Sequence, residues 1–267
     1  MTQKNDQVWL ITGANKGLGA AIAKEALDRG YKVVATARNP ESAAKILVNF
    51  PNLLIAKLDI TNDEQVQSAV KTALDQFGRI DVLVNNAHEL APSSGFNTPA
   101  GSLEQATMDV WMRNLTAGVC WPALTVQKIG AGMKDRGRGS IINISTMYAV
   151  VAPRPALYEG TTFLNPPAYS ASKAAMIAFT RYVASFWGSY GIRANAILPG
   201  PFSNTEDAGL NSVQAGDPFI EKLKANTCLG RIGRAGELAG ALLFLASEAS
   251  SYVTGQSIVV DGGWTAV

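Results

Sequence analysis

Tyr169 and Lys173 stand four residues apart in Ala168-Tyr169-Ser170-Ala171-Ser172-Lys173, at the start of a helical pattern, so both fall on one helix face. An ammonium beside a phenol favours the phenolate and draws the tyrosine toward the working range of a general acid or base. Spacing alone does not separate this pair from an ordinary surface pair. A second run with chemical capacity is Thr12-Gly13-Ala14-Asn15-Lys16-Gly17-Leu18-Gly19, which closes an apolar segment and opens a helical one. Glycines there allow a tight turn and let backbone N–H groups approach a pyrophosphate at a helix N-terminus. A bland strand-to-helix turn also accommodates them. What favours a nucleotide site is the position, directly after the first strand.

The second strand ends Val33-Val34-Ala35-Thr36-Ala37-Arg38. A site for NAD usually presents a carboxylate at that point to the adenine ribose hydroxyls. Here Ala37 and Arg38 stand instead, and Lys16 lies in the glycine turn beside the same ribose. Two cations without a carboxylate suit a 2′-phosphate, so NADP(H) is the expected cofactor, with two solvent-facing charges as the alternative. Asp59 ends the third strand and Asn85-Asn86-Ala87 the fourth, along the same edge.

His88 is the only histidine, and Cys120 and Cys228 are the only cysteines, with no CxxC pair. That argues against a zinc site, a disulfide framework and any mechanism needing two imidazoles, and it fits a reducing compartment. No metal is expected.

These candidates need a scaffold, and the chain supplies one by alternation. Strand-like runs at 8–12, 32–37, 53–58, 81–85, 140–145, 193–198 and 257–260 alternate with helical patterns at 17–29, 62–77, 103–133, 169–188 and 235–247. Val82-Leu83-Val84 and Ile141-Ile142 are apolar at successive positions, as strands covered on both faces require. The expected fold class is α/β, a Rossmann-like doubly wound parallel sheet of about seven strands with helices on both faces. Residues 1–267 read as one domain, with no repeat and no linker. Two irregular segments, 88–102 and 147–168, follow strand ends, where open α/β sheets bind ligands.

Of the 267 residues, 47% are hydrophobic and 16% charged, with a net charge of +2. So small an excess points away from nucleic acid and anionic membranes. The N-terminal MTQKNDQ runs into a strand without a signal-peptide pattern, and no apolar run approaches the ~20 residues of a membrane span. A cytoplasmic location is expected, with a small molecule as the partner.

TGANKGLG, NNA, Asn114 within WMRNLTAG, IINIST, YSASK, NAILPG and VTGQSIVVDGG occur in the order found in the short-chain dehydrogenase/reductase family, which the chain resembles over essentially its whole length, in its compact single-domain subtype. The resemblance implies Tyr169 as general acid or base, Lys173 lowering its pKa and holding the nicotinamide ribose, and Asn114 positioning a water in a proton relay. It implies cofactor contacts at Gly13, Asn15, Lys16, Gly17, Leu18, Gly19, Arg38, Asp59, Ile60, Asn86, Ala87, Tyr169, Lys173, Pro199 and Gly200, the last two with Ile197 fixing the carboxamide. It also implies a homo-oligomer, dimer or tetramer, assembled through the strand before Asp261-Gly262-Gly263.

The departures from the pattern are as informative. The family's carbonyl-polarising serine is replaced by Thr146 in Ile144-Ser145-Thr146. Thr146 is the expected hydroxyl because alternation turns Ser145, the competing candidate, to the opposite side. His88 follows NNA where a glycine is usual, either touching substrate or filling space. Asn204 stands where relatives carry a threonine, with Thr205 adjacent. The stretch between Thr146 and Tyr169 is about ten residues longer than the compact pattern by motif spacing and brings Arg154, Tyr158 and Glu159 toward the pocket. With its NIS-x-MY…P…Y-E-G insert the chain resembles sugar-acid or ketose reductases, and that resemblance implies a hydroxylated or acidic substrate as one expectation. A general carbonyl, steroid-type or 3-oxoacyl reductase is another. A non-catalytic NADP(H)-binding sensor or scaffold, and a same-fold lyase, epimerase or dehydratase, are the readings of other classes.

Overall fold

A computed structural model describes residues 6–203 and 217–267, so Asn204 and Thr205 lie outside the described residues. The first strand, β1 (Val8–Thr12), is buried along its length, and its side chains alternate between two cores. Trp9 and Ile11 enter one, Val8 and Leu10 the other. A strand with no polar face has to be covered on both. The remaining strands are β2 (Lys32–Ala37), β3 (Leu53–Lys57), β4 (Val82–Asn85), β5 (Gly139–Ile144), β6 (Ile192–Pro199), a two-residue pair β7 (Phe202–Ser203) and β8 (Gly233–Arg234), and β9 (Ser257–Val260).

Seven of them form one parallel sheet in the order β3-β2-β1-β4-β5-β6-β9. This is the doubly wound Rossmann-like architecture expected from the alternation. The order runs outward from β1 to β3, then reverses to β4 on the other side of β1. That reversal opens a crevice at the carboxyl ends of β1 and β4, where such sheets bind ligands.

One face is covered by α1 (Gly17–Asp28) and α8 (Ala239–Ala246), through Ile22, Leu242 and Leu245. The opposite face carries α3 (Asp63–Phe77), α5 (Trp121–Asp135) and α6 (Pro167–Trp187), through Val66, Val126, Ile129, Met133 and Val183. Two shorter helices, α2 (Pro40–Ile46) and α7 (Pro218–Ala225), begin at prolines capped by Asn39 and Asp217. The helical pattern expected over 103–133 starts later, at α4 (Met108–Leu115), where the Thr107 hydroxyl accepts from Val110 N. Residues 99–101 form a separate short turn. A π turn, Thr116–Cys120, then joins α4 to α5.

Candidate active site

The glycine turn is held by backbone contacts that only small residues permit. Gly13 and Gly17 adopt positive φ, +68° and +53°. A Cβ on Gly19 would collide with the Gly13 carbonyl and the Asn86 amide. Asn86 Nδ2 donates to Thr12 O (3.0 Å) and Gly13 O (3.2 Å), while Thr12 Oγ1 accepts from the N–H groups of Asn86 and Ala87, both at 3.0 Å. The ends of β1 and β4 are thereby fixed to each other. Lys16 precedes α1 without a side-chain cap, leaving the helix N–H groups to a ligand.

Lys16 and Arg38 are both exposed and neither forms a salt bridge among the described residues. Burial opposes ionisation of Asp59, but hydrogen bonds from Thr61, with the charges of Arg38 and Lys57, hold its carboxyl below the usual range. Asn15 Nδ2 donates to Ser42 Oγ (3.1 Å). Leu18 packs against the α1 side of the core, and Ile60 is buried in the other core. Pro199 ends β6 and Gly200 N donates to Val260 O (2.9 Å); a Cβ on Gly200 would press on Asp261.

Across the crevice, α6 begins at Pro167, so Tyr169 and Lys173 lie in its first turns and face the end of β5. Lys173 is buried, its Nζ donating to Ile144 O (2.8 Å) and lying 6.0 Å from the centre of the Tyr169 ring. Desolvation pulls its pKa down to about 7. Burial pushes the Tyr169 phenol up to about 12, against the hydrogen bond from Thr146, with the neighbouring Tyr158 adding to the rise. Ser145 Oγ donates instead to the Lys173 carbonyl (2.9 Å). The two adjacent hydroxyls therefore separate, one toward the phenol and one into the helix backbone. Asn114 is fully buried and spends Nδ2 on Ser94 O and Val110 O, both 2.9 Å, leaving Oδ1 without a partner.

His88 meets Tyr169 edge-on, ring centres 5.1 Å apart, with both nitrogens buried beside the Ala117 backbone and the Asn114 side chain. Burial holds its pKa well below the usual imidazole value, helped by the Lys173 charge and opposed by the Ala117 backbone and the Asn114 side chain. Phe96, from the segment 88–102, also meets the Tyr169 ring edge-on with the same 5.1 Å separation. Nothing in its spacing marks it, because its partner lies 73 residues away.

The insert before α6 departs from the sequence expectation. Its Pro155–Leu157 turn drives Leu157 inward and leaves Arg154 and Glu159 exposed. Arg154 is tied to Asn226 Oδ1 (2.8 Å) and Val267 O (3.3 Å) rather than to the pocket. The inward groups are Tyr148 and Tyr158, whose phenols feel each other and Tyr169.

A polar chain that no motif announced supports the site from below. Thr125 Oγ1 donates to Asn85 Oδ1 (2.6 Å), Asn85 Nδ2 to Asn143 Oδ1 (2.9 Å), and Asn143 Nδ2 to Thr180 Oγ1 (2.8 Å), all in the core. It ties α5, β4, β5 and α6 into one transverse link. Among the described residues no group of His, Cys, Asp or Glu is placed to hold a metal, and no helix is long and apolar enough to cross a membrane.

Comparison with known proteins places this arrangement. Residues 13–265 match the family described as Enoyl-(Acyl carrier protein) reductase. The cis-4-hydroxycyclohexanecarboxylate dehydrogenase of Sinomonas cyclohexanicum is 32% identical, aligned over 98% of each chain. The 3-oxoacyl-[acyl-carrier-protein] reductase of Synechocystis sp. is also 32% identical, again over 98% of each. A crystal structure of a gluconate 5-dehydrogenase from Burkholderia cenocepacia J2315, in complex with NADP and tartrate, superposes with a TM-score of 0.82 at 30% identity, covering 100% of this chain and 98% of that one. With that match in sequence and architecture, the chain belongs to the short-chain dehydrogenase/reductase family and is an oxidoreductase acting on CH–OH groups.

Proposed function

We propose that residues 1–267 act as one NADP(H)-binding domain that interconverts a ketone or aldehyde and the corresponding alcohol, with Tyr169 as general acid and base. The observation that carries this reading is the Thr146 hydroxyl against the Tyr169 phenol, with buried Lys173 on the same helix face. The cofactor reading rests on the fit of its cradle: the positive φ of Gly13 and Gly17 and the close packing of Gly19 on the Gly13 carbonyl make a tight turn that sets the α1 N-terminus toward a pyrophosphate, and Lys16 and Arg38 offer charge to a 2′-phosphate. Asn15, Leu18, Asp59, Ile60, Asn86, Ala87, Pro199 and Gly200 complete that edge. NADPH bound there supplies the hydride.

The chain's own residues manage the proton and the geometry. Tyr169, with a pKa near 12, keeps its proton at neutral pH and delivers it to a carbonyl oxygen. Thr146 donates to the same oxygen and restrains its developing charge. Lys173, poised near 7, shifts toward the ammonium as the phenol loses its proton. Asn114 holds the inner wall of the relay. The NADP complex of the gluconate 5-dehydrogenase neighbour supports the cofactor choice. Further parts of the reading are a cytoplasmic location and assembly as a homodimer or homotetramer through β9, the edge strand of the sheet.

Tyr169→Phe is expected to lose at least about 1,000-fold in kcat while NADPH binding, followed by its fluorescence, survives. A fully active variant overturns the reading. Arg38→Asp is expected to move the ratio of kcat/KM for NADPH over NADH toward NADH by about tenfold or more. An unchanged ratio removes the argument for the 2′-phosphate.

A further inference from the structure

His88 follows the end of β4, and its backbone is fixed from both sides. Just before it, the Ala87 N–H donates to Thr12 Oγ1 (3.0 Å). Just after it, the Glu89 carbonyl accepts from Ser94 Oγ (2.7 Å), and the Glu89 carboxylate accepts from Arg113 of α4 (3.3 Å). Ser94 closes the loop onto Asn114. Its carbonyl accepts from Asn114 Nδ2 (2.9 Å), whose other hydrogen goes to Val110 O, also at 2.9 Å.

With both amide hydrogens committed, Oδ1 is the one atom of the Asn114 carboxamide open to a further bond. It is buried, and the His88 imidazole, with both nitrogens buried, lies beside it. A buried acceptor next to a buried donor costs stability unless the two meet. The imidazole's other polar neighbour is the Ala117 backbone, in the π turn that follows α4. Burial and the charge of Lys173 keep the ring uncharged, so it carries a single N–H, and the bond that N–H makes selects the tautomer. The same ring meets Tyr169 at 5.1 Å between centres with the planes 66° apart, an edge contact that restrains the phenol.

We infer that His88 is a positioning residue for Tyr169: its N–H, held by Asn114 Oδ1, fixes the imidazole in one tautomer and one orientation, and the ring contact holds the phenol in line with the carbonyl it protonates. This rests on Tyr169 as general acid and adds a residue to that machinery. The glycine usual after NNA supplies neither the ring nor the N–H. A misdirected phenol slows proton transfer without loosening the substrate, so the effect belongs in kcat rather than in KM.

The tests use the purified full chain. His88 is the only histidine, so isotope-labelled histidine reports this imidazole alone by nitrogen NMR. The expected spectrum is one neutral tautomer with a slowly exchanging N–H, and Asn114→Ala is expected to release it into exchange between tautomers. Averaged tautomers in the unaltered chain, or an unchanged spectrum in Asn114→Ala, overturn the inference. His88→Phe keeps a ring without nitrogens and is expected to lower kcat by about tenfold or more, with KM for the carbonyl within about threefold and NADPH binding unchanged. His88→Gly removes ring and donor together. The amide variant that matches the protonated nitrogen, His88→Asn for Nδ1 or His88→Gln for Nε2, is expected to recover at least about threefold in kcat over His88→Gly. Full kcat in His88→Phe or His88→Gly overturns the inference, and so does an amide variant no better than His88→Gly. Should His88→Phe fail to fold, the amide and glycine pair and the spectrum decide. An active Tyr169→Phe takes down the general-acid reading and this inference with it; an inactive Tyr169→Phe beside fully active His88 variants takes down this inference alone.

Discussion

Ser145 and Thr146 show how neighbouring hydroxyls acquire different work. Ser145 Oγ donates to the Lys173 carbonyl, whereas Thr146 meets the Tyr169 phenol. Ser145→Ala is therefore expected to cost about 1 kcal/mol in stability with activity within a few-fold. Thr146→Val, nearly isosteric, is expected to keep stability and lose about 100-fold or more in kcat. Steady-state kinetics with thermal melts on both variants separates the two residues, and the reverse pattern would return the role to Ser145. The direction of the Thr146 side chain was legible from strand alternation. The environment of His88 was not, since a lone histidine after a strand end reads equally as ligand contact or filler. Only the fold brings it against Tyr169, 81 residues on.

Helices and strands were legible where periodicity is strong and less so where turns decide. β1 and β2 fall at the residues their apolar runs mark. The stretch 103–133 reads as one helix because its apolar spacing continues, yet Thr107 caps the real start and the π turn Thr116–Cys120 divides α4 from α5. Pattern counts side chains, and a changed backbone hydrogen bond leaves no mark on it. The inward and outward sides of the insert were misjudged for a related reason. Arg154 and Glu159 looked available to the pocket, but a single turn at Pro155 directs Leu157 inward and them out. The transverse link through Asn85 carries its own prediction. Asn85→Ala leaves Asn143 Oδ1 short of a buried donor, while Thr125 Oγ1 still donates to Pro122 O (2.9 Å), and is expected to cost about 2 kcal/mol, read as the loss in urea midpoint at constant slope. A neutral result would mean that water replaces the amide there.

The protein as a whole carries the energetic burden of its site. Lys173 has a pKa near 7 when folded against a reference of 10.5, so between those values the unfolded chain binds the extra proton. Stability contributed by this group thus rises with pH from about 7 to about 10.5 and is lower below that window. Lys173→Met is expected to flatten that rise in a series of melts across pH and to raise the melting temperature at neutral pH, alongside lost activity. An unchanged slope would place the depressed pKa elsewhere. The overall architecture was the most legible level of all, because alternating apolar runs leave few topologies that cover a parallel sheet on both faces. The amide link between β4 and β5 adds something that periodicity cannot. Many strand alignments bury comparable apolar surface, but the observed one lets Asn85 and Asn143 meet between Thr125 and Thr180. A strand pair assembled one residue out would seal two amides into oil with nothing to bind. The link therefore penalises a mispaired sheet, whose buried amides would lack partners.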